Sequence, residues 1–344
     1  MFPAQALGET LIDQGWQVIM MTDARGRPRV KWLPDDQIFT VEATSISPRK
    51  PIAALRGAAK LARGTRTAKR IIRTFQPSVA AGFGGYPAFP AMRAAQSLNI
   101  PTILHEQNTV LGRVNRVFAR KATTVASGFE TLHRLPSGAT HVTTGNPLRQ
   151  QILDAIPQGY TAPTGDIHLL IVGGSLGARI IAQTVPKAVA ALSEDLRKRL
   201  IITQQTTEGE LENAKAAYTD AGVRAELATF FGDIEHHLAR AHCIIGRAGA
   251  SSVSEFAAMG KPSLLIPLAI AMDDHQTVNA QSLSDLGAAV LLPESAFTPQ
   301  SLTQVLEDKL NDTDWLESAA RAARTTGKPD ATDALARLVI SASP

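Results

Sequence analysis

Short apolar runs alternate with amphipathic stretches along nearly the whole chain. Pro3–Gln14 spaces its apolar residues as a helix does, with a proline in the first turn and Gly15 past the end. Trp16–Thr22 and Ile38–Val41 are apolar runs of strand length. Residues 51–74 predict a basic helix or pair of helices. Ser78–Gly82 predicts a strand that runs into a glycine-rich turn. A helix over Ala88–Leu98, a strand over Pro101–Leu104, a helix over Arg113–Arg120 and a strand near Thr123–Ala126 follow. The pattern restarts with a strand at 168–172, a second glycine-rich turn at 173–178 and a helix at 179–192. Further strands are predicted at 199–203, 225–229, 242–245, 263–267 and 288–291, with helices such as Ser251–Met259 and Val278–Leu286 between them. Strands and helices alternating at this short spacing predict an α/β fold of two doubly wound parallel-sheet domains. The second domain starts near residue 150, and the proline- and glycine-bearing segment Ile156–Gly165 reads as a connector.

With 344 residues, 44% of them hydrophobic, the chain can bury two cores. It has no run of 18 apolar residues, so no transmembrane helix is expected, and no leader-like N-terminus, so no secretory signal is expected. Its single cysteine, Cys243, excludes a disulfide framework, and its eight histidines lack zinc-site spacing. A reducing cytosolic compartment is the expectation. The net charge of +4 hides an asymmetry. Residues 1–150 hold 20 lysines and arginines against 8 acidic residues; residues 151–344 hold 15 against 23. Ten basic residues and no acidic one lie between Ala43 and His105, nine of them between Arg49 and Arg73. Three readings of that stretch stand side by side. It is a solvated surface helix, a nucleic-acid surface, or a basic amphipathic face resting on anionic lipid. Nucleic acid is the weakest, because aromatic residues are only 5% of the chain and no recognition motif accompanies the charge.

Three turns have the composition that suits phosphate. Gly173-Gly174-Ser175-Leu176-Gly177 follows a predicted strand and opens a helix, where free N–H groups and the helix dipole favour an anion. Its glycine phase is not that of a dinucleotide fingerprint, and no Lys-Ser/Thr follows as in a Walker A loop. Gly82-Phe83-Gly84-Gly85 is the second. Arg247-Ala248-Gly249-Ala250 is the third, with Ser251, Ser252 and Ser254 on the first helical turn and Glu255 after them. A carboxylate there suits ribose hydroxyls; the plain alternative is a capping or surface residue. Three such turns in two similar domains point to one large phosphorylated ligand, or two of them.

His105-Glu106-Gln107-Asn108, followed by Gly112 and Asn115, resembles a hallmark of the MurG family of bacterial glycosyltransferases. Gly84-Gly85-Tyr86, Gly145-Asn146-Pro147-Leu148-Arg149, the turn around Ser175, Arg247-Ala248-Gly249-Ala250, Ser254-Glu255, Gly260-Lys261-Pro262 and Asp274-His275-Gln276 agree with it in order, over essentially the whole chain. The resemblance implies a GT-B fold, two Rossmann-like domains facing across a cleft, with residues 1–149 binding acceptor and membrane. Residues 150–328 would bind UDP-GlcNAc, and the last helix, about 329–344, would return to the first domain. It implies transfer of N-acetylglucosamine (GlcNAc) from UDP-GlcNAc to lipid I, giving lipid II for peptidoglycan. By position, Ser175 and the run Ala250, Ser251, Ser252, Val253 and Ser254 would hold the donor diphosphate. Glu255 would take the ribose, the Phe231 backbone the uracil, Arg149 the nucleotide, and Asn108 and Gln276 the sugar hydroxyls. Gly84 and Gly85 would hold the acceptor diphosphate. Expected partners are UDP-GlcNAc, lipid I, an anionic membrane surface and other cell-wall synthesis proteins, with no nucleic acid. The expected location is the cytoplasmic face of the inner membrane.

Inverting displacement at the sugar's anomeric carbon needs a base for the acceptor hydroxyl and stabilisation of the leaving diphosphate. His105 and Glu106, after a predicted strand end, are the candidate bases; the alternative for each is bracing the loop. No metal and no cofactor are expected, since helix N-termini can carry the diphosphate charge. One departure stands out. The family pattern opens with a strand and a Gly-Gly-Thr-Gly-Gly-His turn, and Met1-Phe2-Pro3-Ala4 here falls just after it. That strand would be central in its sheet, so its neighbours are expected to expose edges and apolar faces. Two alternatives to the transferase stay open: a truncated nucleotide-sugar-binding protein without turnover, and another GT-B enzyme joining a UDP-sugar to a lipid.

Overall fold

The computed structural model describes residues 2–45, 51–173 and 179–344. They form two units, Met1–Arg149 with Pro329–Pro344, and Gln150–Lys328.

In the first unit every strand pairing is parallel. Strands β1 (Met20–Thr22) and β2 (Ile38–Thr40) pair only with each other among the described residues. β3 (Ala80–Gly82), β4 (Thr102–Glu106), β5 (Thr124–Ser127) and β6 (His141–Thr143) form a separate sheet in that order. Between the two sheets lies a cavity of about 530 Å3. One side wall is the run from Trp16 through Asp23 and the other the run from Pro77 through Gly84. Leu7 and Leu11 of the helix Phe2–Asp13 lie on it, as does Met92 of the helix Gly85–Ser97. In a parallel ladder alternate residues turn their N–H and C=O to opposite neighbours. Ala80 bonds toward β4 and Thr22 toward β2, so Ala81 and Met21 turn theirs to the cavity. The exposed edges expected from the sequence are thus present. They also explain why the strand predicted over Trp16–Thr22 shrinks to three residues: only one side offers a partner.

The second unit carries six parallel strands in one sheet, ordered β12-β11-β10-β7-β8-β9. They are β7 (Ile167–Val172), β8 (Leu200–Gln205), β9 (Arg224–Ala228), β10 (Cys243–Gly246), β11 (Ser263–Leu265) and β12 (Ala289–Leu291). β7 and β10 are almost wholly apolar because helices cover both faces. One core runs through Leu169, Ile171, Val185, Ile202, Ile245, Leu264, Leu302 and Leu316. The helix Pro299–Leu310 starts cleanly because Thr298 and Ser301 form a reciprocal capping box and proline holds the first turn. The predicted connector, Ile156–Gly165, forms no helix or strand.

The basic stretch forms one helix, Pro51–Phe75. Its buried positions include Gly57, Leu61, Gly64, Ala68 and Ile72, and Ala68 and Ile72 pack with Ala94 and Ala95 of the helix Gly85–Ser97. At Gly64 the helix crosses the Glu42 carbonyl so closely that a Cβ would overlap its oxygen. Most of the apolar side expected to meet lipid is therefore used inside the protein. What faces outward is Arg56, Lys60, Arg63, Arg66, Arg70 and Arg73, with Leu55 exposed near the helix start. The helix Ala331–Ser341 packs on the helix Phe2–Asp13 through Leu335, Ala336 and Val339. Among the described residues no helix is long and apolar enough to cross a membrane.

Candidate active site

Parallel sheets concentrate their chemistry at the loops after the strands' C-terminal ends. In the first unit that place is the end of β4. All five β4 residues are buried, the last two being His105 and Glu106. The Glu106 carboxylate is enclosed by four donors. Oε1 accepts from the Asn108 backbone N–H and side-chain amide, both at 3.1 Å. Oε2 accepts from the Gly112 N–H at 2.8 Å and the Asn115 amide at 2.9 Å. His105 is equally engaged. Its Nε2 lies 3.0 Å from the Gly145 carbonyl, which can only accept, so Nε2 carries the proton; Nδ1 accepts from the Gln107 amide at 3.1 Å. Burial holds the imidazole pKa below its ordinary value, against the opposing pull of the Gly145 carbonyl and Glu106. The ring is neutral at pH 7.

This network joins the pieces singled out in sequence. Asn146 donates to the Gln107 carbonyl at 2.9 Å, which ties the 145–149 turn to the β4 loop. Phe83 packs on the His105 ring at 5.7 Å. Gly84 and Gly85 both have left-handed backbone, φ 73° and 69°, at the start of the helix Gly85–Ser97. A Cβ at Gly84 would meet the Asn115 amide at 3.1 Å, so glycine is needed twice over. The helix begins three residues earlier than predicted, because Pro87 lies in the first turn, where its missing N–H costs no bond. Arg149 ends this unit with its guanidinium 5.8 Å from the Phe2 ring.

Sequence reasoning gave Asn115, Gln107 and Asn146 no roles of their own, although they lie inside the quoted motifs. It missed Asp23 altogether. Asp23 is buried at the end of β1, where it accepts from Tyr86 Oη at 2.8 Å and from the Gly26 N–H at 2.9 Å. The Tyr86 beside the paired glycines was the available signal.

In the second unit the turn after β10 opens the helix Ala250–Ala258. Gly249 precedes it in extended conformation, leaving the first-turn N–H groups pointing out of the helix end. Ala250 and Val253 are buried, Ser251 is exposed, and Ser252, Ser254 and Glu255 are half-buried. Asn279, fully buried, donates to the Ala248 carbonyl at 3.1 Å and fixes this turn. Gln276 lies on the first turn of the helix His275–Ser284. Phe231 is buried with its ring edge-on to His237 at 4.7 Å, whereas Phe230 is 76% exposed. Ser175 falls outside the described residues.

Two Rossmann-like parallel-sheet units, each with glycine turns and helix starts beyond its strand ends, define the GT-B fold class. Residues 1–127 match the glycosyltransferase family 28 N-terminal domain and residues 168–335 its C-terminal domain. The chain is 48% identical over 343 residues to the UDP-N-acetylglucosamine--N-acetylmuramyl-(pentapeptide) pyrophosphoryl-undecaprenol N-acetylglucosamine transferase of Maricaulis maris (strain MCS10), covering 98% of this chain and 93% of that one. The protein of the same name from Phenylobacterium zucineum (strain HLK1) is 43% identical, with 98% and 94% covered. The crystal structure of Acinetobacter baumannii MurG superimposes with a TM-score of 0.80 at 31% identity, covering 99% of this chain and 95% of that one. The chain belongs to glycosyltransferase family 28 and, within it, to the MurG family.

Proposed function

We propose that the chain catalyses inverting transfer of GlcNAc from UDP-GlcNAc to the MurNAc 4-hydroxyl of lipid I, giving lipid II and UDP in peptidoglycan synthesis. The names of its relatives support the reaction. The observation that carries the donor half is the open helix start at Ala250 behind Gly249, flanked by Ser251 and Ser252. Backbone N–H groups and hydroxyls there would take the diphosphate, whose charge grows as UDP leaves. Ser175 would join them, Glu255 would accept the ribose hydroxyls, and the Phe231 backbone would meet the uracil while its ring stays in the core. Arg149 would reach the nucleotide, and Asn108 and Gln276 the sugar.

In the acceptor half, the left-handed Gly84 and Gly85 would bring backbone close to the lipid I diphosphate. His105 and Glu106, the candidate bases, serve better as braces. Glu106 has four donors on its two oxygens and His105 has both ring nitrogens engaged, so a proton from the acceptor would displace an existing bond. Their work is to hold Asn108, Asn115 and the 145–149 turn in place. The outward basic face of the helix Pro51–Phe75 would rest on anionic headgroups by charge, at about 1 kcal/mol per basic residue near the surface. Roles in cell shape and division, at the cytoplasmic face of the inner membrane, would follow from the reaction.

Calorimetry tests the donor half. UDP-GlcNAc is expected to bind more tightly than UDP-glucose, and Glu255→Gln to weaken UDP itself; absence of UDP binding would sink the assignment. Reversing Lys60, Arg63, Arg66 and Lys69 to Glu is expected to release the protein from anionic vesicles, and unchanged co-sedimentation would refute the lipid contact.

A further inference from the structure

The loop after β11 is anchored residue by residue. Arg247, directly after β10, donates through Nη1 to the Ile266 carbonyl at 3.1 Å and the Pro267 carbonyl at 3.2 Å. Its Nη2 pairs with Glu294 Oε1, and the two side chains are only 11% and 21% exposed. The other Glu294 oxygen accepts the Ala269 N–H at 3.2 Å. Between these anchors the Leu268 N–H donates to Gln276 Oε1 at 3.0 Å. Four consecutive residues, 266–269, are thus held by three side chains from three different elements. Beyond them Ile270 is 87% exposed, and Asp273 and Asp274 both have left-handed backbone.

The consequence falls on Gln276. A primary amide can turn over and exchange its oxygen for its nitrogen. Here the Leu268 N–H fixes the oxygen, so the NH2 is the end left to a ligand, and an NH2 only donates. A donor at that place suits the oxygen atoms of sugar hydroxyls. The position of the Leu268 N–H is set in turn by its neighbours, Pro267 through Arg247 and Ala269 through Glu294.

We infer that Glu294 is a positioning residue for the donor sugar: through Arg247 and the Ala269 N–H it holds Leu268, and so presents the Gln276 amide as a hydrogen-bond donor to the sugar's hydroxyls. The inference rests on the reading of this unit as the UDP-GlcNAc unit, and adds to it the residue that separates sugar recognition from nucleotide recognition. Arg247 is a poorer handle, because it directly precedes the Ala248-Gly249 turn and its loss would disturb the diphosphate place as well. Glu294 meets the loop at the Ala269 N–H and reaches the diphosphate place only through Arg247.

The test compares UDP-GlcNAc with UDP, which lacks the sugar, on the full chain by calorimetry. Glu294→Ala is expected to weaken UDP-GlcNAc about tenfold, the loss of one to two hydrogen bonds, with UDP unchanged within about twofold. Gln276→Ala should do the same, and the double variant should be no worse than Gln276→Ala alone, since both act on one contact. Steady-state kinetics should place the effect in the KM for donor and not in the KM for acceptor. Should Glu294→Ala not fold, Glu294→Gln replaces it; it keeps one oxygen for Arg247, and a rise of about threefold is expected. Equal weakening of UDP and UDP-GlcNAc by the Glu294 variant, or additive losses in the double variant, would overturn the inference while leaving the donor reading intact. A Gln276→Ala variant with an unchanged ratio of the two affinities would overturn both.

Discussion

The two units share an architecture and differ in continuity. In the second, six strands hydrogen-bond side by side and one apolar core spans them. In the first, four strands and two strands stand apart, and the buried residues fall into smaller groups. One lies around Leu7, Ile103 and Leu335, a second around Met92, Leu104 and Phe118, and a third around Val41, Ala68 and Ala94. The cavity between the sheets is where those groups would meet. A doubly wound sheet gathers its core at the middle strands, because only there do helices cover both faces. An opening at that point divides the core, whereas one at an edge would merely trim it.

The contrast is sharpest at residues in matching places. Ile171, in the middle of β7, is fully buried, and Ile171→Ala is expected to cost about 2–5 kcal/mol in chemical denaturation. In the first unit a comparable cost is expected at the Glu106 network. Glu106→Ala would strand several buried donors and is expected to cost about 3 kcal/mol. Next comes Gly64→Ala, which forces the basic helix off the Glu42 carbonyl, at about 1–3 kcal/mol. Smallest is Ala81→Val on the cavity wall. It is expected to stay within about 0.5 kcal/mol, because Ala81 is exposed although it is the central residue of β3. A loss at Ala81 as large as that at Ile171 would show that the cavity is not open. Hydrogen exchange offers a second view: the Met21 and Ala81 amides should exchange well before that of Ile171.

Acid should act on both units through histidine. Burial lowers the pKa of His105 in the first unit and of His168 and His242 in the second, the last to about 4 with help from His168 and Lys261. Each is held neutral in the fold and protonates more readily in the unfolded chain, so its contribution is complete above about pH 6.5 and is lost as pH falls below that. Melting temperature should drop from pH 7 to pH 5, and His242→Gln should flatten the slope.

The strands that sequence located well are the ones buried on both faces, such as β7 and β10, where an unbroken apolar run leaves little alternative. β6 escaped notice because His141-Val142-Thr143 is a short, half-exposed edge with no apolar pattern. The candidate site was legible as residue types at spacings. Glycine, serine and asparagine at strand ends can be read directly, because their chemistry lies in the backbone or in one polar group. The engagement of Glu106 could not be read. Its donors arrive from two, six and nine residues further along a loop whose path depends on the packed unit. Glu294 lay further out of reach, since nothing in its local sequence reports that it meets Arg247, 47 residues earlier.

The most direct measurement is transfer of labelled GlcNAc from UDP-GlcNAc to a short-chain lipid I analogue by the 344-residue chain, with product identified by mass and linkage. A β-linked GlcNAc–MurNAc product that requires both substrates, releases UDP in equal amount and is lost in Glu255→Ala is the expected result. UDP-GlcNAc binding with no product at any acceptor concentration would contradict the transferase assignment and leave a nucleotide-sugar-binding protein in its place.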